Sequence, residues 1–231
     1  MGKVNLNPEQ SAAVNHGKGP ILILAGAGTG KTRVLTHRVA NLISNTGVRA
    51  DEILAVTFTN KAAGEMRERL KDLLGAKADR LWISTFHSAA LRILRRHAKC
   101  LGYKNDFVVY DTKDSTAVLK AIIKKMGIDS KQFKPGFYLS RIDNLKNNFI
   151  SPEEFAPEPH ERSSCLQAVY SEYQKELILA NAMDFTDLIL NCLRLLKSEP
   201  DILKLYQRTL KYVLATSFKI LTLCNMRLYN Y

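Results

Sequence analysis

Eight consecutive residues carry the clearest chemistry in the chain: Ala25-Gly26-Ala27-Gly28-Thr29-Gly30-Lys31-Thr32. They follow the apolar run Ile21-Leu22-Ile23-Leu24 and lead into residues with helical spacing. The glycines let the backbone fold into a nest of N–H donors suited to a phosphate. A helix N-terminus adds positive potential at the same place. In such a loop, Lys31 reaches the β- and γ-phosphates of a nucleotide, and the Thr32 hydroxyl is the usual Mg²⁺ ligand. The first position is Ala25, where the general pattern has Gly. The competing reading is a Gly-rich turn with an incidental Lys-Thr, and the flanking strand and helix patterns argue against it. The motif implies a nucleotide phosphate without specifying a reaction.

The surrounding elements must position that loop. Asn7 is placed to cap a short helix from Pro8 to Val14. Ile21 to Leu24 and Ile53 to Val56 are short, wholly apolar runs that fit buried parallel strands. Helical spacing holds from Lys31 to Ile43, and Asn60 is placed to cap a helix with Ala62, Met66, Leu70 and Leu73 on one face. Leu81-Trp82-Ile83 reads as a third strand, and Thr85 opens a helix to about Cys100. Strand–helix alternation of this kind predicts a parallel α/β sheet. After Val108-Val109-Tyr110 the pattern turns mostly helical, clearest over Asp114–Met126 and Ser163–Leu179. The Pro-bearing stretch between them, Pro135 to Pro159, predicts only short helical pieces. Helices follow over Asp184–Leu196 and Asp201–Leu210, and Lys211 to Leu214 returns to strand character.

Composition bounds the function classes. The 231 residues carry 34 Lys and Arg against 22 Asp and Glu, a formal net charge of +12. That balance suits a polyanionic partner such as nucleic acid or a membrane surface, or else a solvated basic surface with no partner. No apolar run reaches the length of a membrane span, and Met1 to Leu6 has no apolar signal core. Cys100, Cys165, Cys192 and Cys224 are widely spaced, which predicts reduced, mostly buried thiols in a cytoplasmic protein. No Cys/His spacing near His87 suggests zinc.

Several segments together narrow the reading. Leu6-Asn7-Pro8-Glu9-Gln10, the Ala25–Thr32 loop, Thr57-Phe58-Thr59-Asn60-Lys61-Ala62-Ala63, Ile83-Ser84-Thr85-Phe86-His87-Ser88 and Met183-Asp184-Phe185-Thr186-Asp187-Leu188 occur in that order. In this the chain resembles the UvrD/Rep/PcrA-type superfamily 1 DNA helicases from about Leu6 to Leu214. The resemblance implies an α/β, RecA-like P-loop NTPase sheet, here incomplete, with a mostly α-helical insertion subdomain. Residues 1–105 would form the first part of subdomain 1A, 106–200 the helical subdomain 1B, and 201–214 the return to 1A. It implies ATP and Mg²⁺ as cofactors and single-stranded DNA as partner, with no role for a membrane.

Site residues follow from the same resemblance. Gln10 matches a glutamine that reads the adenine edge, a role suited to an amide with both donor and acceptor. Arg33 matches an arginine packed on the adenine ring. Phe58, Thr59, Asn60 and Lys61 match a motif that tracks single-stranded DNA, as do Thr85, Phe86 and His87, and Phe185 matches an aromatic stacked on a base. Cationic grooves with aromatic platforms are how single strands are held. Lys61 to Lys104 carries a net charge of +7 beside both motifs. The alternatives are bland: Gln10 as an exposed helix residue, the basic stretch as solvated helix faces, and Phe58, Phe86 and Phe185 as core, Phe58 foremost because it abuts a buried strand. Asp184 and Asp187, three apart at a helix start, read as structural.

The chain departs from the family after Leu214. The family continues with a Walker B strand ending Asp-Glu, which supplies a Mg²⁺-shell aspartate and a general base. Here no Asp or Glu occurs after Asp201. Reading the last base of each codon with the next two permits Asp-Glu-Phe-Gln-Asp-Thr-Asn from Ala215 onward, and later Gln-Tyr-Glu. A frameshift near Leu214 would therefore make residues 215–231 an out-of-frame tail. The expected function is the N-terminal ATP- and single-stranded-DNA-binding part of an ATP-dependent 3′–5′ DNA helicase, without turnover alone. The alternatives are a nucleic-acid-binding module without a motor, a pseudogene product, or a small P-loop kinase or other NTPase. The motifs at Thr57–Lys61 and Thr85–His87 argue against the last.

Overall fold

The computed structural model describes residues 6–26, 28–128, 134–156 and 161–216. Ala27, Cys224 and the tail beyond Thr216 lie outside the described residues. In chain order the elements are α1 (Pro8–Asn15), α2 (Lys31–Ser44), β1 (Ile53–Thr57), α3 (Asn60–Leu74), β2 (Trp82–Thr85), α4 (Phe86–His97), β3 (Val108–Tyr110) and α5 (Thr112–Lys125). They continue with α6 (Pro135–Asn147), α7 (Glu161–Leu179), β4 (Ala182–Asp184), α8 (Phe185–Ser198), α9 (Pro200–Thr209) and β5 (Tyr212–Ala215). Two compact units result, one from Met1–Phe86 with Lys204–Thr222, the other centred on His87–Leu203.

The first unit is built on a parallel sheet of order β2-β1-β5. β1 is buried along its whole length, as a central strand flanked on both sides must be. Its register sets Thr57 beside Thr85 and Ala55 beside Leu214. Val39 and Leu42 of α2, Met66 and Leu70 of α3, and Ile53 and Ile83 of the sheet share one core. α1 begins in a reciprocal cap. Gln10 N donates to Asn7 Oδ1 (2.7 Å), and Asn7 N donates to Gln10 Oε1 (3.2 Å), with Pro8 in the first turn where its missing N–H costs nothing.

The second unit is mostly helical. α5, α6 and α7 pack around Leu119, Ile122, Tyr138, Ile142, Val169 and Tyr173. Its β3 and β4 pair in parallel, Val108 with Ala182 through Tyr110 with Asp184.

Four expectations need correction. Ile21 to Leu24 is not a strand: the segment is irregular, and its side chains are 39%, 58%, 40% and 83% exposed. An apolar run becomes a strand only where a ladder partner takes its N–H and C=O groups, and the described sheet ends at β5. Thr59, not Asn60, caps α3, accepting from Ala62 N at 3.1 Å. α6 is a continuous helix of 13 residues where short pieces were expected, because Pro135 stands in its first turn rather than its interior. Of the thiols, Cys192 is buried, Cys165 half-buried and Cys100 exposed.

Candidate nucleotide and nucleic-acid site

The glycine-rich loop turns through left-handed backbone at Gly28 (φ 77°) and Gly30 (φ 86°), a conformation glycine adopts at no steric cost. Gly30 is the N-cap of α2 and offers no side-chain acceptor. The first N–H groups of α2 therefore remain free of a side-chain cap, the state in which a helix start receives an anion. Lys31 Nζ curls back to donate to Ala25 O (2.8 Å) and Gly26 O (2.6 Å), and Thr29 Oγ1 donates to Gly26 O (2.7 Å). Thr32 is half-buried in the first turn of α2 and Arg33 is exposed beside it.

Gln10 reaches this loop from α1. Its Nε2 donates to Thr29 O at 3.1 Å while its Oε1 serves the α1 cap. A Cβ placed on Gly30 would lie 3.3 Å from that Nε2, so the close approach also favours glycine there. Arg38, which the sequence reading passed over, holds α1 against α2. It is 5% exposed and donates to Ala13 O (3.1 Å) and His16 O (2.7 Å), with longer contacts to Val14 O and Gly17 O. These carbonyls lie at and just past the end of α1, where a helix leaves its last C=O groups without intrahelical partners, and Asn41 Nδ2 also donates to Val14 O at 3.2 Å. Burial lowers the Arg38 pKa from its ordinary value. Its place on the buried stripe of a helix, among Val34, Val39 and Leu42, is the only signal that could have singled it out.

The second group of candidates lies at the carboxyl edge of the sheet. Because Thr57 and Thr85 are parallel partners, Phe58-Thr59-Asn60-Lys61 and Phe86 leave adjacent strand ends, the side where open α/β sheets bind ligands. Phe58 is 66% exposed, so the alternative that places it in the core does not hold. Asn60 and Lys61 are exposed at the start of α3. Thr57 Oγ1 donates to Thr59 O at 3.0 Å, and Arg67 Nη2 donates to Ile83 O at 2.7 Å. The first ties the turn after β1 back to that strand, and the second ties α3 to β2. Thr85 is buried and Phe86 half-buried.

His87 and Phe185 meet within the second unit. Their rings stack with centroids 3.9 Å apart and planes at 19°. Phe185 is 58% exposed, so one face of the pair is open. Burial lowers the His87 pKa below the ordinary histidine value, which favours the neutral ring. Phe185 follows Asp184 directly. That residue caps α8, accepting from Asp187 N at 2.8 Å, while Asp187 Oδ2 accepts from Asp184 N at 3.3 Å.

The chain thus combines a mixed α/β fold, a phosphate-loop sequence opening a helix, and polar and aromatic residues at parallel strand ends. The UvrD/REP helicase N-terminal domain family matches residues 6–219, and the chain belongs to that family of DNA helicases. It is 45% identical over 210 residues to the ATP-dependent DNA helicase PcrA of Staphylococcus epidermidis and 44% identical over 210 residues to that of Staphylococcus aureus. These matches cover 90% of this chain and 29% of each relative, so the chain spans less than a third of the helicases it resembles. Among the described residues no helix is long and apolar enough to cross a membrane.

Proposed function

We propose that this chain is the ATP- and single-stranded-DNA-binding N-terminal part of an ATP-dependent 3′–5′ DNA helicase. In this reading residues 1–105 and 201–214 belong to a RecA-like P-loop subdomain, and 106–200 to a helical insertion. The observation that carries it is the loop at the head of α2: positive-φ glycines, an uncapped helix start and Lys31 folded over the loop. A nucleotide phosphate would take the free N–H groups, and Lys31 would exchange its two carbonyl partners for phosphate oxygens, a stronger charge-assisted contact. Thr32 fits the role of Mg²⁺ ligand by its hydroxyl and its place at the helix start. The metal, when bound, would neutralise charge on the β- and γ-phosphates. Arg33, exposed in the same turn, is free to lie against a base.

Phe58, Thr59, Asn60, Lys61, Thr85, Phe86, His87 and Phe185 are assigned to single-stranded DNA, the aromatics as stacking faces and Lys61 as a backbone contact. The stretch contains no Asp or Glu after Asp201 and so brings no Walker B carboxylate to the phosphates. It therefore binds ATP without appreciable turnover by itself. Titration calorimetry with Mg-ATP tests the assignment, with Lys31→Ala as control. Binding lost in Lys31→Ala supports it; equal heats in both proteins overturn it. A DNA-stimulated ATPase rate above that of Lys31→Ala would refute the absence of turnover.

A further inference from the structure

Lys146 is a buried lysine of the second unit. It sits in the last turn of α6, 1% exposed. Its Nζ lies 2.5 Å from Asp184 Oδ2 and 2.8 Å from Asp187 Oδ1. Asp184 is 3% exposed and Asp187 is fully enclosed. The carboxylate oxygens are all occupied. Asp184 Oδ2 also accepts from Tyr173 OH (3.0 Å), Asp187 Oδ1 also accepts from Gln174 Nε2 (3.3 Å), and the remaining two oxygens close the α8 cap. The ammonium also lies 5.1 Å from the centre of the Tyr173 ring, within reach of a cation–π attraction.

The cluster brackets one residue. Asp184, Thr186 and Asp187 are each tied to α6 or α7, Thr186 through its hydroxyl to Asp143 Oδ1 at 3.0 Å. Phe185, between them, is 58% exposed and rests on His87. The stack on His87 holds one face of the ring, and a fixed backbone at the first turn of α8 sets the point from which the ring reaches that stack. Buried charges cost stability, and their best-attested use is to fix one arrangement.

We propose that Lys146 is a positioning residue for DNA: by clamping Asp184 and Asp187 it fixes the start of α8 so that Phe185 stacks with His87 and offers its open face to a base. The proposal rests on the assignment of Phe185 and His87 to single-stranded DNA. The charged and titratable groups bearing on the clamp are Asp143, Asp184, Asp187 and Tyr173, with Tyr103, Tyr170 and Arg194 acting on these from neighbouring elements. The carboxylates raise the Lys146 pKa, while burial and the Asp184 charge raise that of Asp187.

The test uses the full chain and two readouts. Proton NMR of the His87 imidazole reports the ring current of Phe185, with Phe185→Ala marking the unstacked position. Anisotropy of a labelled oligo(dT) reports binding. Lys146→Met, judged folded by its circular dichroism, is expected to move the His87 resonance to the Phe185→Ala position. Its oligo(dT) affinity should fall by roughly the tenfold that loss of one stacked base entails. A merely structural lysine would lower the melting temperature and leave both readouts of the folded chain unchanged, which would overturn the proposal. If Lys146→Met does not fold, Asp187→Asn keeps the Lys146–Asp184 pair and replaces the second carboxylate. It should shift both readouts in the same direction, and no shift overturns the clamp. If Phe185→Ala itself binds oligo(dT) like the wild type, the DNA assignment fails. The His87 resonance then still decides separately whether Lys146 sets the ring pair.

Discussion

Replacing Arg38 by methionine isolates the link between α1 and the phosphate loop. The substitution keeps most of the aliphatic stem and removes the guanidinium. Two hydrogen bonds are well made, to Ala13 O at 3.1 Å and His16 O at 2.7 Å. Hydrogen bonds from a charged donor are worth about 1.5–3 kcal/mol each. Burial of the guanidinium, visible in its lowered pKa, offsets part of that sum, since methionine carries no charge to desolvate. A net loss of about 2–3 kcal/mol is left. Trp82, the single tryptophan, lies in β2 of the same unit, so its fluorescence follows the unfolding of the right part of the chain. With a urea m-value of about 2 kcal/mol/M, the midpoint should drop by about 1–1.5 M. Because α1 carries Gln10, whose amide holds Thr29 O, Mg-ATP affinity should weaken as well. An unchanged urea midpoint would refute the idea that Arg38 anchors α1.

Three further outcomes are expected. Thr59→Ala removes the cap of α3 and should cost about 1 kcal/mol in urea unfolding, whereas Thr59→Ser should cost little, since both hydroxyls cap well. His87 should titrate below the ordinary histidine value by NMR. Its folded-state pKa is lowered by burial, so the unfolded chain binds more protons in the window between that pKa and the ordinary one. Its contribution to stability is therefore present above the ordinary value and is lost as pH falls through the folded one. Phe185→Ala should abolish the ring-current shift of His87 whatever its effect on DNA.

Much of the chain could be read from sequence because its local signals agree with its contacts. The cap at Asn7, the glycines before Lys31, the wholly apolar β1 and the carboxylates at the start of α8 each act within a few residues. What escaped reading depends on distant partners. Ile21 to Leu24 has strand composition, but a strand needs a neighbour, and none of the described strands pairs with it. Lys146 looks like one of many surface lysines until α8 brings Asp184 and Asp187 against it across 38 residues of chain. Asp184 and Asp187 were legible as helix-start residues. Their service as the two jaws on a buried lysine was not, because helix spacing alone says nothing about the helix packed opposite.

The most direct test of the account is the affinity of the chain for a labelled oligo(dT), measured by anisotropy for the wild type and for Phe58→Ala/Phe185→Ala across a salt series. Stacking worth about 1–3 kcal/mol per base predicts a loss of roughly 5- to 150-fold for each ring engaged. Neither substitution removes a positive charge, Lys61 included, so the salt slope should be unchanged. A double variant that binds oligo(dT) as tightly as the wild type would contradict the assignment of these rings to single-stranded DNA.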